Sequence, residues 1–196
     1  MVERLHLNEY APYTDIVSTD TLDVKQLSPD SKDESVTMIW LVAEAPNPGE
    51  FVNHWKFFFE LPPKQQTVRF IHVNMTLDRR HNQNEVIGVL KARTVDYAAP
   101  DSGVHRLSFD MQLNATGGDL LRLLLERGRD KYLFTASGEG CRFWCQTVLR
   151  DLLEGRFILK KDVDQASTDL GFLLAPEDGL GAPSGRGNFT SETGGP

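Results

Sequence analysis

Hydrophobic and polar residues alternate along much of the first two thirds of the chain, as they do in β-strands. Beginning at Ser35, the run SVTMIWLVAEA predicts a buried strand, and FVNHWKFFFEL predicts an aromatic strand with two unlike faces. One face of the aromatic strand is apolar, and the other carries His54, Lys56 and Phe58. QTVRFIHVNMTL and VIGVLKARTV predict two more strands, and residues 105–113 show the clearest alternation.

The hydrophobic period then lengthens to that of a helix. NATGGDLLRLLLERG places its leucines along one side of a predicted helix that stops at Gly128. CRFWCQTVLRDLLEGRF predicts a second helix with an apolar stripe, ending at Gly155. Strands followed by helices indicate an α+β fold, in which an antiparallel sheet of four to six strands packs against two helices.

Both ends of the chain lack this periodicity. Residues 1–34 are polar and predict an irregular N-terminal arm with one short strand, before an α+β domain over residues 35–162. Residues 163–196 predict a disordered tail, because the last 26 residues contain seven Gly and three Pro. Such a composition does not offset the conformational entropy lost on folding.

Charge and composition narrow the classes of partner. A net charge of −7 disfavours nucleic acid, because the protein and the phosphate backbone repel each other. No run approaches the roughly 20 apolar residues of a membrane span, and residues 1–10 have no apolar signal region. The only cysteines, Cys141 and Cys145, do not suggest a disulfide framework, so we expect a cytoplasmic protein.

Cys141 is the strongest candidate for a reactive group. It follows a Gly-rich approach and opens a helix, where the helix dipole and free N–H groups would lower its pKa and hold an oxyanion. His54 and His72 lie on neighbouring strands and could serve as general base and orienting group. This trio predicts thiol-dependent acyl transfer or hydrolysis of an ester, thioester or amide. The substrate-binding residues would be Trp55, Phe58, Trp144 and Arg142.

Three alternatives follow from the same residues. Both cysteines lie on the apolar stripe, so they also suit inert core thiols. The aromatic residues could line a non-hydrolytic small-molecule site of a cyclase or isomerase. Alternatively, the arm and the tail could make the chain an interaction module without catalysis. Neither a metal nor another cofactor is expected, because the Cys-x3-Cys pair lacks a second ligand pair and no phosphate-binding loop occurs.

Two resemblances add to these expectations. The order of NHW at 53–55, a second histidine at the next strand and GEGCRFWC at 138–145 resembles the permuted papain-like group that includes the lecithin–retinol acyltransferase family. That resemblance implies a permuted papain-like fold, with His54 as base, His72 as orienting group and Cys141 as nucleophile. The chain departs from the family at Gly140, where the family has Asn.

The second resemblance covers more of the chain. NHW at 53–55, GRDKYLF at 128–134 and GCRFW at 140–144 are similar to motifs of a fungal family known only as a domain of unknown function. This resemblance implies a shared fold and no particular reaction. It also suggests that Arg129, Asp130 and Arg142 form an internal salt-bridge framework near the start of the second helix.

Overall fold

The computed structural model describes residues 16–44, 54–64, 67–78, 86–96, 103–138, 140–172 and 187–190. Within these ranges the chain forms an α+β fold of eight strands and four helices. The strands are β1 (Leu22–Asp23), β2 (Met38–Glu44), β3 (His54–Lys64), β4 (Thr67–Asp78), β5 (Val86–Val95), β6 (Gly103–Asp110), β7 (Tyr132–Phe134) and β8 (Asn188–Phe189). The helices are α1 (Pro29–Asp33), α2 (Gly117–Glu126), α3 (Cys141–Glu154) and α4 (Lys160–Phe172).

All eight strands belong to one sheet, whose main order is β6-β2-β3-β4-β5-β7-β8. Every pairing along this order is antiparallel, and β1 adds to β5 in parallel. The predicted antiparallel sheet is therefore confirmed. It has eight strands rather than four to six, and β8, which was not expected, is only two residues long, too short to show a periodic pattern. The permuted papain-like arrangement stays a prediction.

The sheet has one face covered by helices, which we call the helix face. Trp55, Phe57 and Phe59 of β3 point to this side and are at most 1% exposed. They share a single hydrophobic core with leucines of α2 and with Trp144 and Cys145 of α3. Alternation puts the apolar residues of β3 on one face, and helical spacing puts those of α3 on one side. These two apolar surfaces pack against each other.

Helix α2 begins where its sequence predicts. The Thr116 hydroxyl accepts a hydrogen bond from the Asp119 backbone N–H at 3.1 Å, and the Asp119 carboxylate accepts one from the Thr116 N–H at 2.9 Å. This reciprocal capping box satisfies two N–H groups at the helix start. After the helix, Gly128 adopts a left-handed φ of 66°, which suits a helix stop.

Part of the predicted disordered tail forms regular structure instead. Helix α4 continues past residue 163, and Val163 and Ala166 lie in the core. Further on, β8 pairs with β7 and brings Phe189 to 4.9 Å from Tyr132 between ring centroids. A few well-spaced apolar residues thus anchor a segment whose average composition predicts disorder. Residues 173–186 and 191–196 of the predicted tail lie outside the described residues.

The described part of the N-terminal arm, residues 16–34, contains β1 and α1. Arg69 of β4 anchors α1, because its guanidinium donates to Glu34 at 2.6 Å and to Ser31 at 3.1 Å. Glu34 also forms an ion pair with Lys64 at 2.6 Å. The first fifteen residues of the predicted arm lie outside the described residues.

Candidate functional site

The side of the sheet opposite the helix face carries His54 and His72, and we call it the histidine face. The strand registers place Phe58 beside His72 and His72 beside Arg93, so β3, β4 and β5 contribute neighbouring side chains. Four apolar residues of this face form a second hydrophobic cluster, separate from the main core. They are Val42, Phe58, Phe70 and Val95, with Trp40 packed against them.

His54 and Asn74 form a direct side-chain pair on this face. Nε2 of His54 lies 2.7 Å from Oδ1 of Asn74. Because an amide oxygen only accepts hydrogen bonds, Nε2 carries the hydrogen and Nδ1 keeps its lone pair in the neutral ring. Asn74 thereby holds His54 in one tautomer and one orientation, as the orienting partner of a general base does.

His72 is held between two neighbouring side chains. Its ring stacks on Phe58 with 4.7 Å between centroids and 17° between planes. Its Nδ1 accepts a hydrogen bond of 3.0 Å from Nε of Arg93. Since Nδ1 is the acceptor, the neutral ring carries its hydrogen on Nε2. That Nε2 is buried and has no hydrogen-bond partner within the described ranges.

The surroundings of His72 keep its ring neutral. Burial lowers the pKa of His72 to about 3, and the charges of Lys56 and Arg93 act in the same direction. Near neutral pH the Nε2–H group is therefore an uncharged donor in a positive environment. A buried donor without an acceptor is costly, so this atom marks a place where a ligand could supply the acceptor.

Glu44 and Glu60 lie on the histidine face and are engaged with other groups. Lys56 forms an ion pair with Glu44 of the neighbouring strand. Glu60 accepts a hydrogen bond of 2.7 Å from the indole nitrogen of Trp40. Arg93, by contrast, has no carboxylate partner in the part of the chain that the structure describes.

The cysteines lie on the other side of the sheet. Cys145 is fully buried in the helix-face core, with Sγ 3.8 Å from the carbonyl oxygen of Trp55. Cys141 begins α3 as predicted and packs against the same core. The structure thus brings His54 and His72 onto one face, but it does not place Cys141 on that face with them.

The environment of Cys141 also differs from the one expected at a helix start. Burial raises the pKa of its thiol, and the backbone N–H of Trp55 and the charge of Arg142 do not compensate. Burial raises the pKa of Cys145 as well. The position at the first turn of α3 therefore does not produce the lowered pKa of an activated nucleophile.

The predicted substrate-binding residues are divided between the two faces. Phe58 lies beside His72, whereas Trp55 and Trp144 are buried in the helix-face core. The indole nitrogen of Trp144 donates to the carbonyl oxygen of Arg129 at 2.8 Å. Arg142 lies in the first turn of α3, the helix that packs on β3 from the helix face.

The suggested salt-bridge framework is present in a different form. Arg129 binds the Asp151 carboxylate through two nitrogens, at 2.5 and 3.0 Å, and lies 4.6 Å from the Phe189 ring centroid. Asp130 instead accepts a hydrogen bond of 2.9 Å from the Thr21 hydroxyl. Residues just before β7 thus contact three other parts of the chain: Arg129 contacts α3 and β8, and Asp130 contacts the N-terminal arm.

The sequence interpretation gave no functional role to Lys56, Asn74 or Arg93, which also lie on the histidine face. The signal was present, because Lys56 alternates with His54, and Asn74 alternates with His72, on the same side of their strands. Arg93 could not be assigned, because its position beside His72 depends on the register between β4 and β5.

In the described ranges, no three His, Cys, Asp or Glu side chains are grouped to hold a metal ion. None of the described helices is both long and apolar enough to span a membrane.

Comparison with known proteins yields one family. The profile of a family described as a domain of unknown function, DUF7770, matches residues 39–190. Neither the curated proteins nor the solved structures contain a match.

Proposed function

This chain belongs to the DUF7770 family of domains of unknown function, and we propose that it binds a small organic molecule on the histidine face. The proposed chemistry is a non-hydrolytic proton transfer, of the kind that isomerases and cyclases catalyse. It corresponds to the cyclase or isomerase alternative that the sequence suggests. The catalytic group would be a histidine.

The main support for this proposal is that the Nε2–H group of His72 is buried and has no acceptor among the described residues. Arg93 determines its tautomer, Phe58 supports its ring and burial keeps it uncharged. An oxygen atom of a ligand would satisfy this donor and remove the cost of burying it unpaired. The partly buried ring of Trp40, which packs against the cluster that contains Phe58, would contact the apolar part of the same molecule.

His54 supplies the proposed proton-transfer group. Asn74, its partner, is two residues from His72 along β4, which is about 7 Å. A ligand anchored at His72 could therefore extend to His54. The His54 imidazole would take a proton from an acidic C–H group and return it to another carbon of the same conjugated system. No atom is gained or lost, and no oxidant is needed.

Thiol-dependent acyl transfer by Cys141 stays a prediction. Two observations weigh against it: Cys141 packs on the helix-face core, and burial raises its pKa. The non-catalytic interaction module gains no specific support from the described contacts.

Nuclear magnetic resonance of ¹⁵N-labelled histidine side chains tests the binding site. We expect members of a library of carbonyl- and carboxylate-bearing aromatic fragments to shift the imidazole signals of His54 and His72. In His72→Phe, which has no His72 signal, the shift of the His54 signal should be abolished. The matched control His105→Phe alters an exposed histidine of β6, and together with Cys141→Ser it should leave both shifts intact. Fragment binding that depends on Cys141 and not on His72 would overturn the proposal.

Solvent deuterium exchange tests the chemistry. For a fragment that binds, we expect the protein to accelerate exchange of its acidic C–H group with deuterated water. His54→Gln should abolish that acceleration while binding persists. Equal exchange in the wild-type protein and in His54→Gln would show that His54 is not the base.

A further inference from the structure

We propose that the histidine face selects a monocarboxylate with a flat apolar body. In the absence of this ligand Glu44 forms an ion pair with Lys56, and the ligand carboxylate displaces it. This inference rests on the proposed function and names the substrate class of the same site. It assigns roles to Lys56 and Glu44 that the sequence alone did not suggest.

The donors around His72 favour a negatively charged acceptor. Lys56 is two residues from Phe58, whose register partner is His72, so its side chain lies on the same face one strand away. Arg93 lies beside His72 on the other side. A carboxylate has two oxygens, which could accept from the Nε2–H group of His72 and from the ammonium group of Lys56.

The charge balance favours a single negative charge. Glu44 already neutralises Lys56, and the nearby Glu60 bonds with the Trp40 indole. Arg93 is exposed and has no carboxylate partner among the described residues, so its guanidinium adds positive potential beside His72. One carboxylate would balance it, whereas a phosphate dianion would bring excess charge to a protein whose net charge is −7.

The surface beneath these donors is apolar and buried. Val42, Phe58 and Phe70 are at most 1% exposed and pack together on the histidine face. The edge-on contact between Phe58 and Phe70, with centroids 6.0 Å apart, leaves Phe58 stacked on the His72 ring. Trp40 packs against this cluster and is only partly buried, so its ring could contact a flat hydrocarbon body whose carboxylate reached the donors.

Glu44 competes with the ligand in this arrangement. The Glu44 carboxylate and the ligand carboxylate bind the same Lys56 ammonium group, so the ligand must replace Glu44 as its partner. Removing the charge of Glu44 should therefore strengthen binding, whereas removing the charge of Lys56 should weaken it. Two substitutions with opposite effects distinguish a binding role from a general loss of structure.

The test is calorimetric titration with a panel of aryl and arylalkyl carboxylates, each paired with its primary amide and the corresponding aryl phosphate. We expect at least one carboxylate to bind about tenfold more tightly than its amide. Glu44→Gln should strengthen that binding several-fold, and Lys56→Met should weaken it about tenfold. Thermal melting of both variants verifies that they are folded.

The outcomes separate this inference from the proposed function. If acids and amides bind equally well and His72→Phe abolishes the binding of both, the site does not select carboxylates. The proposal of a small-molecule site would still hold. Tighter binding of the phosphates would also overturn the selection of a monocarboxylate, because the site would then accept a dianion. Absence of binding by the whole panel would overturn the carboxylate class, and neutral ligands found in the fragment screen would still support the site.

Discussion

The hydroxyl group of Tyr132 donates a hydrogen bond of 2.8 Å to the carbonyl oxygen of Gly140, directly before the first turn of α3. Gly140 has φ 141° and ψ −10°, a combination that glycine alone adopts without strain. A Cβ atom at this position would lie 2.5 Å from the Tyr132 hydroxyl oxygen and 3.2 Å from the Gly187 nitrogen. The close approach of β7, β8 and α3 therefore depends on this glycine.

Gly140→Ala should lower the free energy of unfolding by about 3 kcal/mol, since backbone strain and steric overlap add. Gly128→Ala is the matched control, because Gly128 also has a positive φ but has nothing within 4 Å of a Cβ atom. It should cost about 1 kcal/mol. Urea unfolding measures both values, and equal losses would show that the contacts of Gly140 are unimportant.

Both cysteines should react slowly in the folded protein. Because burial raises the pKa of Cys141 and of Cys145, less thiolate is present near neutral pH than in an exposed cysteine. Mass spectrometry after brief iodoacetamide treatment should show little labelling in buffer and complete labelling in denaturant. Rapid labelling of Cys141 in the folded protein near neutral pH would instead support the thiol chemistry that the sequence predicts.

His72 should make stability depend on pH. Its pKa is about 3 in the folded chain against a reference value of 6.5, so between these values the unfolded chain binds a proton that the folded chain does not. Stability from His72 is thus present above about pH 6.5 and is lost as the pH falls, by up to roughly 1.4 kcal/mol per pH unit. The difference between the wild-type and His72→Phe unfolding curves measures it. Parallel curves from about pH 6 to pH 4 would contradict a neutral buried His72.

Arg69 should contribute strongly to stability through α1. Burial acts to raise the pKa of Glu34, but hydrogen bonds from Lys64 and Arg69 outweigh it and lower the pKa. Arg69→Met should cost about 2–3 kcal/mol, because Glu34 and Ser31 would lose a donor in a partly buried site. The control Lys64→Met removes a solvent-exposed partner of the same carboxylate and should have much less effect. Thermal melting compares the two variants, and similar losses would argue against an anchoring role for Arg69.

The contacts of β8 should be measurable despite its short length. Phe189 packs on Tyr132 and on the guanidinium group of Arg129. Phe189→Ala should therefore lower stability by about 1–2 kcal/mol. Leu159→Ala, at a side chain that is 38% exposed, should have a smaller effect. If Phe189→Ala is neutral in chemical unfolding, the C-terminal strand does not stabilise the domain.

Much of the fold was predictable because its signals are local. Alternation along β3 assigned Trp55 and Phe57 to one face and His54 and Phe58 to the other, as the structure has them. Helical spacing and terminal glycines located α2 and α3. Short elements such as β8 were not predictable, because two residues carry no period and become ordered only through contacts made elsewhere in the chain.

The sequence by itself determined which residues share a strand face or a helix stripe, because side-chain direction follows the backbone repeat. Only the tertiary structure decided which face of the sheet the helices cover. That choice placed Cys141 against the helix-face core and left His54 and His72 with Lys56, Asn74 and Arg93 on the other side. The physical reason is that the repeat of one strand contains no information about its neighbours: register, strand order and helix packing come from burial of apolar surface across the whole chain.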